Sequence, residues 1–336
     1  MNDKRPGSIL CFGEVLVRLS VNAGARLANA TALSLHCGGA EANVGAMLAQ
    51  LGHSTEMATL LPRSPLGDLC EAELRRSGLG TGLALRSAGR LGLYFFESAA
   101  GGRVIYDREH SAFSEAANKF DWPAIAADTS WFHLSGINLA LGGKPAASAV
   151  AAVEAMRAAG ATISFDINHR ASLWEGRSEA DADLVRQLAS TSDLLFASAA
   201  DISRLLGREL PSASNEDRRA AAFQALQIFG TPHFIASTRR CFTNNGQAIS
   251  ARIDTREGGY ETEQAQLGPL VDRIGSGDAF AGAVIDGILR HSSIEECARN
   301  GLAAAVMKHG IAGDRWIGSR DDLERFDPFA PGDIRR

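Results

Sequence analysis

The sequence predicts an α/β protein: a doubly wound, mostly parallel sheet flanked by helices on both faces, with a small separate β-sheet attached. Three observations carry this reading. From about residue 120 onward, short apolar runs alternate with longer helical segments, the rhythm of successive βαβ units. Two β-rich pieces, roughly 16–38 and 88–110, interrupt that rhythm. The chain has 336 residues, 45% of them hydrophobic, with 35 glycines, a composition that buries a substantial core.

Taken in order, Ile9-Leu10-Cys11-Phe12 before Gly13 reads as a buried first strand, and Val15 to Val21 alternates loosely as a second. Gly38-Gly39 opens a helix with Val44, Leu48 and Leu51 at helical spacing, ended by Gly52. Leu91 to Glu97 and Val104-Ile105-Tyr106, separated by Gly101-Gly102, form a hairpin. Trp131-Phe132-His133-Leu134 is a strand, and Ala146 to Ala159 a helix stopped by Gly160. Thr162 to Ile167 and Asp193 to Phe196 are strands, the latter followed by a helical stretch to Leu206. Ala220 to Phe229 is a helix and Phe234-Ile235-Ala236 a strand. No repeat or low-complexity linker divides residues 1–336, which are read as one domain.

The net charge of −5 provides no basic field for nucleic acid or anionic lipid. An anionic substrate must then be held by local arginines, backbone N–H groups or a metal ion. Cys11, Cys37, Cys70, Cys241 and Cys297 are scattered without a CxxC pair, which points to reduced thiols rather than disulfides or zinc. The apolar run Ile9 to Phe12 is too short for a signal or membrane segment, and Glu14 and Arg18 follow it. The expectation is a cytoplasmic chain with no membrane partner.

The strongest local signal for chemistry is Asp272-Arg273-Ile274-Gly275-Ser276-Gly277-Asp278-Ala279-Phe280. Two glycines flank a small serine just before an amphipathic helix carrying Phe280, Val284 and Ile288. Such a turn leaves backbone N–H groups free to hold an anion, aided by the helix dipole. Asp278 has two possible uses there: to cap the helix, or to accept a proton from an attacking hydroxyl.

The extended string Asp-x-x-Gly-x-Gly-Asp-Ala-Phe-x-Gly resembles the C-terminal signature of ribokinase-like (PfkB-type) carbohydrate kinases, with Ser276 where alanine is usual. Gly38-Gly39-Ala40-Glu41-Ala42-Asn43-Val44 is similar to that family's N-terminal Gly-Gly motif. Asp166-Ile167-Asn168-His169-Arg170 with Leu173-Trp174 resembles the 2-keto-3-deoxygluconate kinase subgroup. So do Gly89 to Glu97, Val104 to Arg108, and a turn made by Leu61-Pro62 and Pro65-Leu66-Gly67. The motifs follow one another in family order over nearly the whole chain.

The resemblance implies an ATP-dependent kinase that phosphorylates the terminal hydroxyl of 2-keto-3-deoxygluconate, with the two β-rich pieces as a lid. Asp278 would be the base, with the Gly275, Ser276 and Gly277 N–H groups at the transferring phosphate. Gly38, Gly39, Asn43, Tyr94, Tyr106, Arg108, Asn168 and Arg170 would meet the sugar. A guanidinium pairs well with a carboxylate, so Arg108 and Arg170 together point to an acid, with an ordinary ion pair as the plain alternative. For Tyr94 and Tyr106 the alternative is strand packing, for Asn168 a turn. His169 reads as a packed or hydrogen-bonded residue.

ATP would contact Ser198, Thr238, Arg239, Gly275, Gly277 and Asn300. Two strings depart from the family. The Asn-x-x-Glu motif that organises Mg²⁺ appears as Ser198-Ala199-Ala200-Asp201, so Asp201 would act through water or merely cap a helix. The nucleotide-loop string appears as Ser237-Thr238-Arg239-Arg240-Cys241-Phe242. The rival readings are a kinase of another small sugar (fructose, ribose or a nucleoside) and a kinase-fold sugar-binding protein with weak turnover. An exposed apolar face on the lid would favour a homodimer.

Overall fold

The computed structural model describes residues 8–22, 24–97, 102–176, 178–241, 246–268 and 270–330. The chain begins β1 (Ser8–Phe12), β2 (Leu16–Ser20), β3 (Ser34–Gly38), α1 (Ala40–Gln50), β4 (Thr55–Pro62), α2 (Pro65–Arg76), β5 (Ala84–Ser87), β6 (Gly92–Glu97) and β7 (Arg103–Asp107). Then come α3 (Ala112–Ala116), α4 (Trp122–Ala126), β8 (Thr129–Ser135), α5 (Ile137–Ala140), α6 (Gly143–Ala159), β9 (Thr162–Asp166), α7 (Ala171–Trp174), α8 (Glu179–Thr191) and β10 (Leu194–Phe196). After α9 (Ala199–Leu206) and α10 (Asn215–Phe229) come four strands, β11 (His233–Cys241), β12 (Gln247–Asp254), β13 (Gly259–Glu261) and β14 (Ala265–Gln266). The helices α11 (Ser276–Leu289), α12 (Ile294–His309) and α13 (Arg320–Arg325) follow.

The large sheet has the order β13-β12-β11-β10-β9-β8-β1-β4-β5, with β14 also paired to β12. Every pairing from β11 to β5 is parallel, and the β12 pairings are antiparallel. The direction of winding reverses between β1 and β8. The core strands are apolar on both faces because helices cover both. Leu10, Phe12, Phe132, Leu134, Leu195 and Phe234 enter one buried cluster, while their neighbours Ile9, Trp131, Leu194, Phe196 and Ile235 enter another. This is the period-two sorting of a doubly covered strand.

The second sheet has the order β3-β2-β6-β7. Its registers align His36, Arg18, Tyr94 and Tyr106 across one face, and Leu35, Leu19, Phe95 and Ile105 across the other. On the latter face Leu35 is 41% and Ile105 36% exposed. Lower on that face, Cys37 of β3 packs with Cys70 of α2 in a buried cluster that also holds Val17, Leu74 and Leu91.

Several boundaries differ from the sequence reading. Pro65-Leu66-Gly67 is the first turn of α2, capped by Ser64, rather than an isolated turn. The α10 helix starts at Asn215 behind a Ser214–Asp217 capping box, ahead of the expected Ala220. The string at 237–242, expected as a nucleotide loop, continues β11 as far as Cys241, since Ser237 to Cys241 pair with Ala251 to Gln247. Phe242 lies outside the described residues.

Candidate active site

A cleft of about 690 Å³ opens at the carboxyl ends of β9, β10 and β11, beneath the Tyr94–Tyr106 face of the second sheet. Ligands of open parallel sheets sit in such a crevice. The 273–278 turn supplies another wall. Gly275 is the N-cap of α11 with a left-handed φ of 82°, and a Cβ there would collide with the Asp314 carbonyl. Gly275 therefore brings the two segments into contact. The N–H groups of Gly275, Gly277 and Asp278 donate to no described carbonyl, whereas Ser276 N–H points to Arg273 O at 3.3 Å. A Cβ on Gly277 would meet nothing within 4 Å, so the space over this turn is open.

Asp278 lies in the first turn of α11. Its Oδ2 accepts from Asn43 Nδ2 at 2.7 Å, which turns the carboxylate toward the cleft. Burial pushes its pKa up to about 7, opposed by the Asn43 hydrogen bond and the Arg170 charge and reinforced by Glu41 and Asp314. A carboxylate so placed can hold or release a proton near neutral pH. Asn43 itself is buried, and its Oδ1 has no partner among the described residues.

The remaining expected sugar contacts fall into distinct groups. Gly39, Tyr94, Tyr106, Arg108, Asn168 and Arg170 line the cleft with Asn43, whereas Gly38 lies behind it, with Asp314 where its Cβ would be. Tyr94 donates its hydroxyl proton to Asp314. The guanidinium of Arg108 lies over the Tyr106 ring and is bound to buried Glu14, with Nε at 2.8 Å from Oε2. Arg170 is exposed, precedes α7, and acts by its charge on Asp278 and Asp166, which it favours in the ionised form. The two arginines thus differ: Arg108 is held in a buried contact ion pair with Glu14, whereas Arg170 is exposed and meets Asp278 and Asp166 only through their charge. Asn168 takes a left-handed φ of 43° and donates its backbone N–H to Asp166 Oδ1 at 3.0 Å. His169 stacks on Trp174 with an interplanar angle of 4°.

The expected nucleotide and metal residues are less gathered. Ser198 is the N-cap of α9, not Asp201; the Asp201 carboxylate accepts from Ser198 N at 2.8 Å and Ser198 Oγ at 2.6 Å, completing a capping box. Its other oxygen meets Arg204 at 3.1 Å. Both residues still face the cleft. Thr238 lines a smaller cavity of about 220 Å³ that adjoins the cleft at Ser198 and Ser237. Arg239 lies in β11, but its side chain is outside the described residues. Asn300 sits on α12 and lines neither cavity. No group of three metal-ligating side chains occurs among the described residues. Mg²⁺ needs only one or two protein carboxylates beside nucleotide phosphates and waters, so the donor set suits an ion that arrives with a nucleotide.

Sequence reasoning missed several polar residues around this cleft. Asp166 at the end of β9 has its pKa pushed up to about 7 by burial and by Asp278. It stood in a motif string, but only its neighbours were assigned. Glu41 is buried, accepting from Ser135 Oγ at 2.6 Å and Asn138 Nδ2 at 2.9 Å, and fixes α1 to the strand ends where the winding reverses. Asp314 lines the cleft without belonging to any motif. Arg18 and Glu14 carried a weak signal, as charges among apolar strand residues.

The model of the pfkB family of carbohydrate kinases matches residues 7–313. A 2-dehydro-3-deoxygalactonokinase of Haloferax volcanii is 30% identical over 94% of this chain and 95% of its own. A 2-dehydro-3-deoxygluconokinase of Bacillus subtilis is 27% identical over 94% of each. The crystal structure of a 2-dehydro-3-deoxygluconokinase from Thermotoga maritima superposes with a TM-score of 0.90 at 32% identity, covering 95% of this chain and 98% of that one.

Proposed function

The chain belongs to the pfkB family of carbohydrate kinases, and we propose that it transfers the γ-phosphoryl group of ATP to the terminal hydroxyl of 2-keto-3-deoxygluconate (2-dehydro-3-deoxygluconate), giving 2-keto-3-deoxy-6-phosphogluconate. The observation that carries this reading is the presence in one cleft of an exposed guanidinium, Arg170, and a carboxylate with a pKa near 7, Asp278. A neutral sugar would give the exposed Arg170 no charged group of its own to bind. The substrate carboxylate pairs with Arg170, while Arg108, Tyr94, Tyr106 and Asn168 direct hydrogen bonds or apolar surface at the carbon chain. Gly39 admits the sugar close to the backbone.

As the hydroxyl oxygen bonds to the γ-phosphorus, its proton passes to Asp278 and the bond from phosphorus to the β-phosphate bridging oxygen breaks, leaving ADP. The open N–H groups of Gly275, Gly277 and Asp278 stabilise negative charge on the transferring group. Ser198 and Thr238 line the cavities along the nucleotide's path, and Arg239 of the same strand as Thr238 is the candidate phosphate contact. Mg²⁺ would neutralise phosphate charge when bound, and Asp201, with Asp166 on the same cleft, would be the residues to hold it.

The second sheet, built from the pieces 16–38 and 88–110, acts as the lid. A second copy of the chain covers its Leu35–Leu19–Phe95–Ile105 row, exposed at Leu35 and Ile105. Sedimentation of an Ile105→Glu variant tests this: a dimeric parent and a monomeric variant support it, and a monomeric parent overturns it.

The names of the relatives differ in sugar stereochemistry, so the decisive assay is ATP-dependent turnover over 2-keto-3-deoxygluconate, 2-keto-3-deoxygalactonate, fructose, ribose and a nucleoside. The highest kcat/KM is expected for a keto-deoxy acid. A preference for a neutral sugar would overturn the acid assignment, and no turnover with any would leave a binding protein.

A further inference from the structure

We propose that Arg18 is a positioning residue for phosphoryl transfer: its guanidinium, buried between Asp272 and Asp314, fastens the turn that presents the Gly275–Gly277 amides and Asp278 to the second sheet, so the transfer site is complete only while that sheet is seated. This rests on the kinase reading of the same cleft, and adds a residue that no motif points to.

Arg18, Asp272 and Asp314 are 2%, 6% and 3% exposed. Arg18 Nη2 bonds Asp272 Oδ2, and Nη1 lies 3.0 Å from Asp314 Oδ1 as a charge pair without hydrogen-bond alignment. Asp272 in turn shapes the turn, with its Oδ1 accepting from Ile274 N at 3.0 Å and Oδ2 from Gly313 N at 3.1 Å. Asp314 accepts from Tyr94, the neighbour of Arg18 across the sheet, and its carbonyl is the surface against which Gly275 packs. Thus both ends of the turn are bound to Arg18, one through Asp272 and the other through Asp314.

The other charged groups around this cluster are His36 on β3, Lys308 on α12 and Asp278 itself. Lys308 is fully buried and donates to Ile311 O at 2.7 Å. Asp272 and Asp314 therefore face Arg18 and Lys308, though burial lowers the lysine's pKa. A sealed cluster of this kind is rigid, because removing any member strands a buried charge. The catalytic consequence follows from orientation: a displacement of about 1 Å in a reacting group costs about a hundredfold in rate.

The test compares Arg18→Met, Arg18→Lys and the charge-balanced Arg18→Met/Asp272→Asn. For Arg18→Met, kcat is expected to fall by about a hundredfold with KM for both substrates little changed. Amide exchange should quicken at 274–277 while β1, β8 and β9 keep the parent's rates. The double variant should regain the parent's melting temperature without its kcat. If Arg18→Met does not fold, the double variant and Arg18→Lys carry the same comparison. Parent-level kcat in any folded variant lacking Arg18, or recovery of kcat together with melting temperature in the double variant, would reduce Arg18 to charge compensation. The exchange measurement needs no sugar. A failure of the substrate assignment therefore leaves this test intact, and unchanged exchange at 274–277 overturns the proposal by itself.

Discussion

At the base end of the cleft, Asn43, Glu41, Asp278 and Asp314 are tied to one another or to the backbone by side chains from α1, β2, β6, β8 and α11. At the nucleotide end, Ser198 and Asp201 satisfy each other within a single turn of α9, and Arg204 is the next residue along the same helix face. The first arrangement joins segments more than 200 residues apart; the second is local. Long-range polar contacts fix a geometry that no one element determines, which is what a proton acceptor and a phosphoryl group require. A local cap fixes only its own helix, which suffices where the ligand brings its own charge and metal.

The largest effect expected from this contrast is at the base. Asp278→Asn keeps the shape and the possibility of an Asn43 contact but removes the proton acceptor, so kcat should fall by about 10²–10⁴-fold while calorimetric sugar binding persists. With the pKa of Asp278 pushed up to about 7, the parent's rate should rise with pH through that region. Asn43→Ala should move this limb to higher pH, because the lost hydrogen bond favours the carboxylate. The stability sign is opposite. A carboxyl whose folded pKa is raised favours folding at low pH, and that contribution is lost as pH rises from about 4 to about 7. The melting temperature of Asp278→Asn should therefore gain on the parent's across that window. A flat pH–rate profile there, or near-normal turnover in Asp278→Asn, would remove Asp278 from the mechanism.

An intermediate effect separates the two arginines. Arg170→Met should weaken binding of the keto-deoxy acid by about 1.5–3 kcal/mol, and much less for an analogue with a neutral group in place of the carboxylate. Its melting temperature should barely move, since Arg170 is exposed. Arg108→Met leaves Glu14 buried without its cation, so it should lower the melting temperature as well as the affinity. If both variants lost the acid and the neutral analogue equally, neither arginine would read the carboxylate.

The smallest effect lies at the nucleotide end. Asp201→Ala breaks the capping box and should cost about 0.5–2 kcal/mol of stability. If Asp201 also reaches Mg²⁺ through water, the Mg²⁺ concentration for half-maximal rate rises in the same preparation. A lower melting temperature with an unchanged Mg²⁺ curve would leave Asp201 as a cap alone.

The same contrast explains what the sequence disclosed. The central strands were legible because burial on both faces concentrates apolar residues in short runs such as Leu194-Leu195-Phe196. The β12 strand was hidden because Arg252 and Asp254 lie within it and neutralise each other only once folded. The extension of β11 was hidden because it depends on pairing with that strand. Asp278 was legible through a turn whose residues are contiguous. Asp314 was not, because Tyr94, which gives it meaning, is 220 positions away.

The sealing of Cys37 against Cys70 gives the second sheet a chemical clock. Cys37 is 5% and Cys70 0% exposed, one carried by the small sheet and the other by the helix beneath it. A thiol reagent reaches either sulfur only during the intervals when β3 has separated from α2. Cys11 lies in the same buried cluster, on β1, and Cys297 is buried on α12, so labelling must be read site by site. With Cys241 replaced by serine, the labelling rate resolved at Cys37 and Cys70 would count separations of β3 from α2, and a slowing on addition of a sugar would support the proposed lid role of the second sheet.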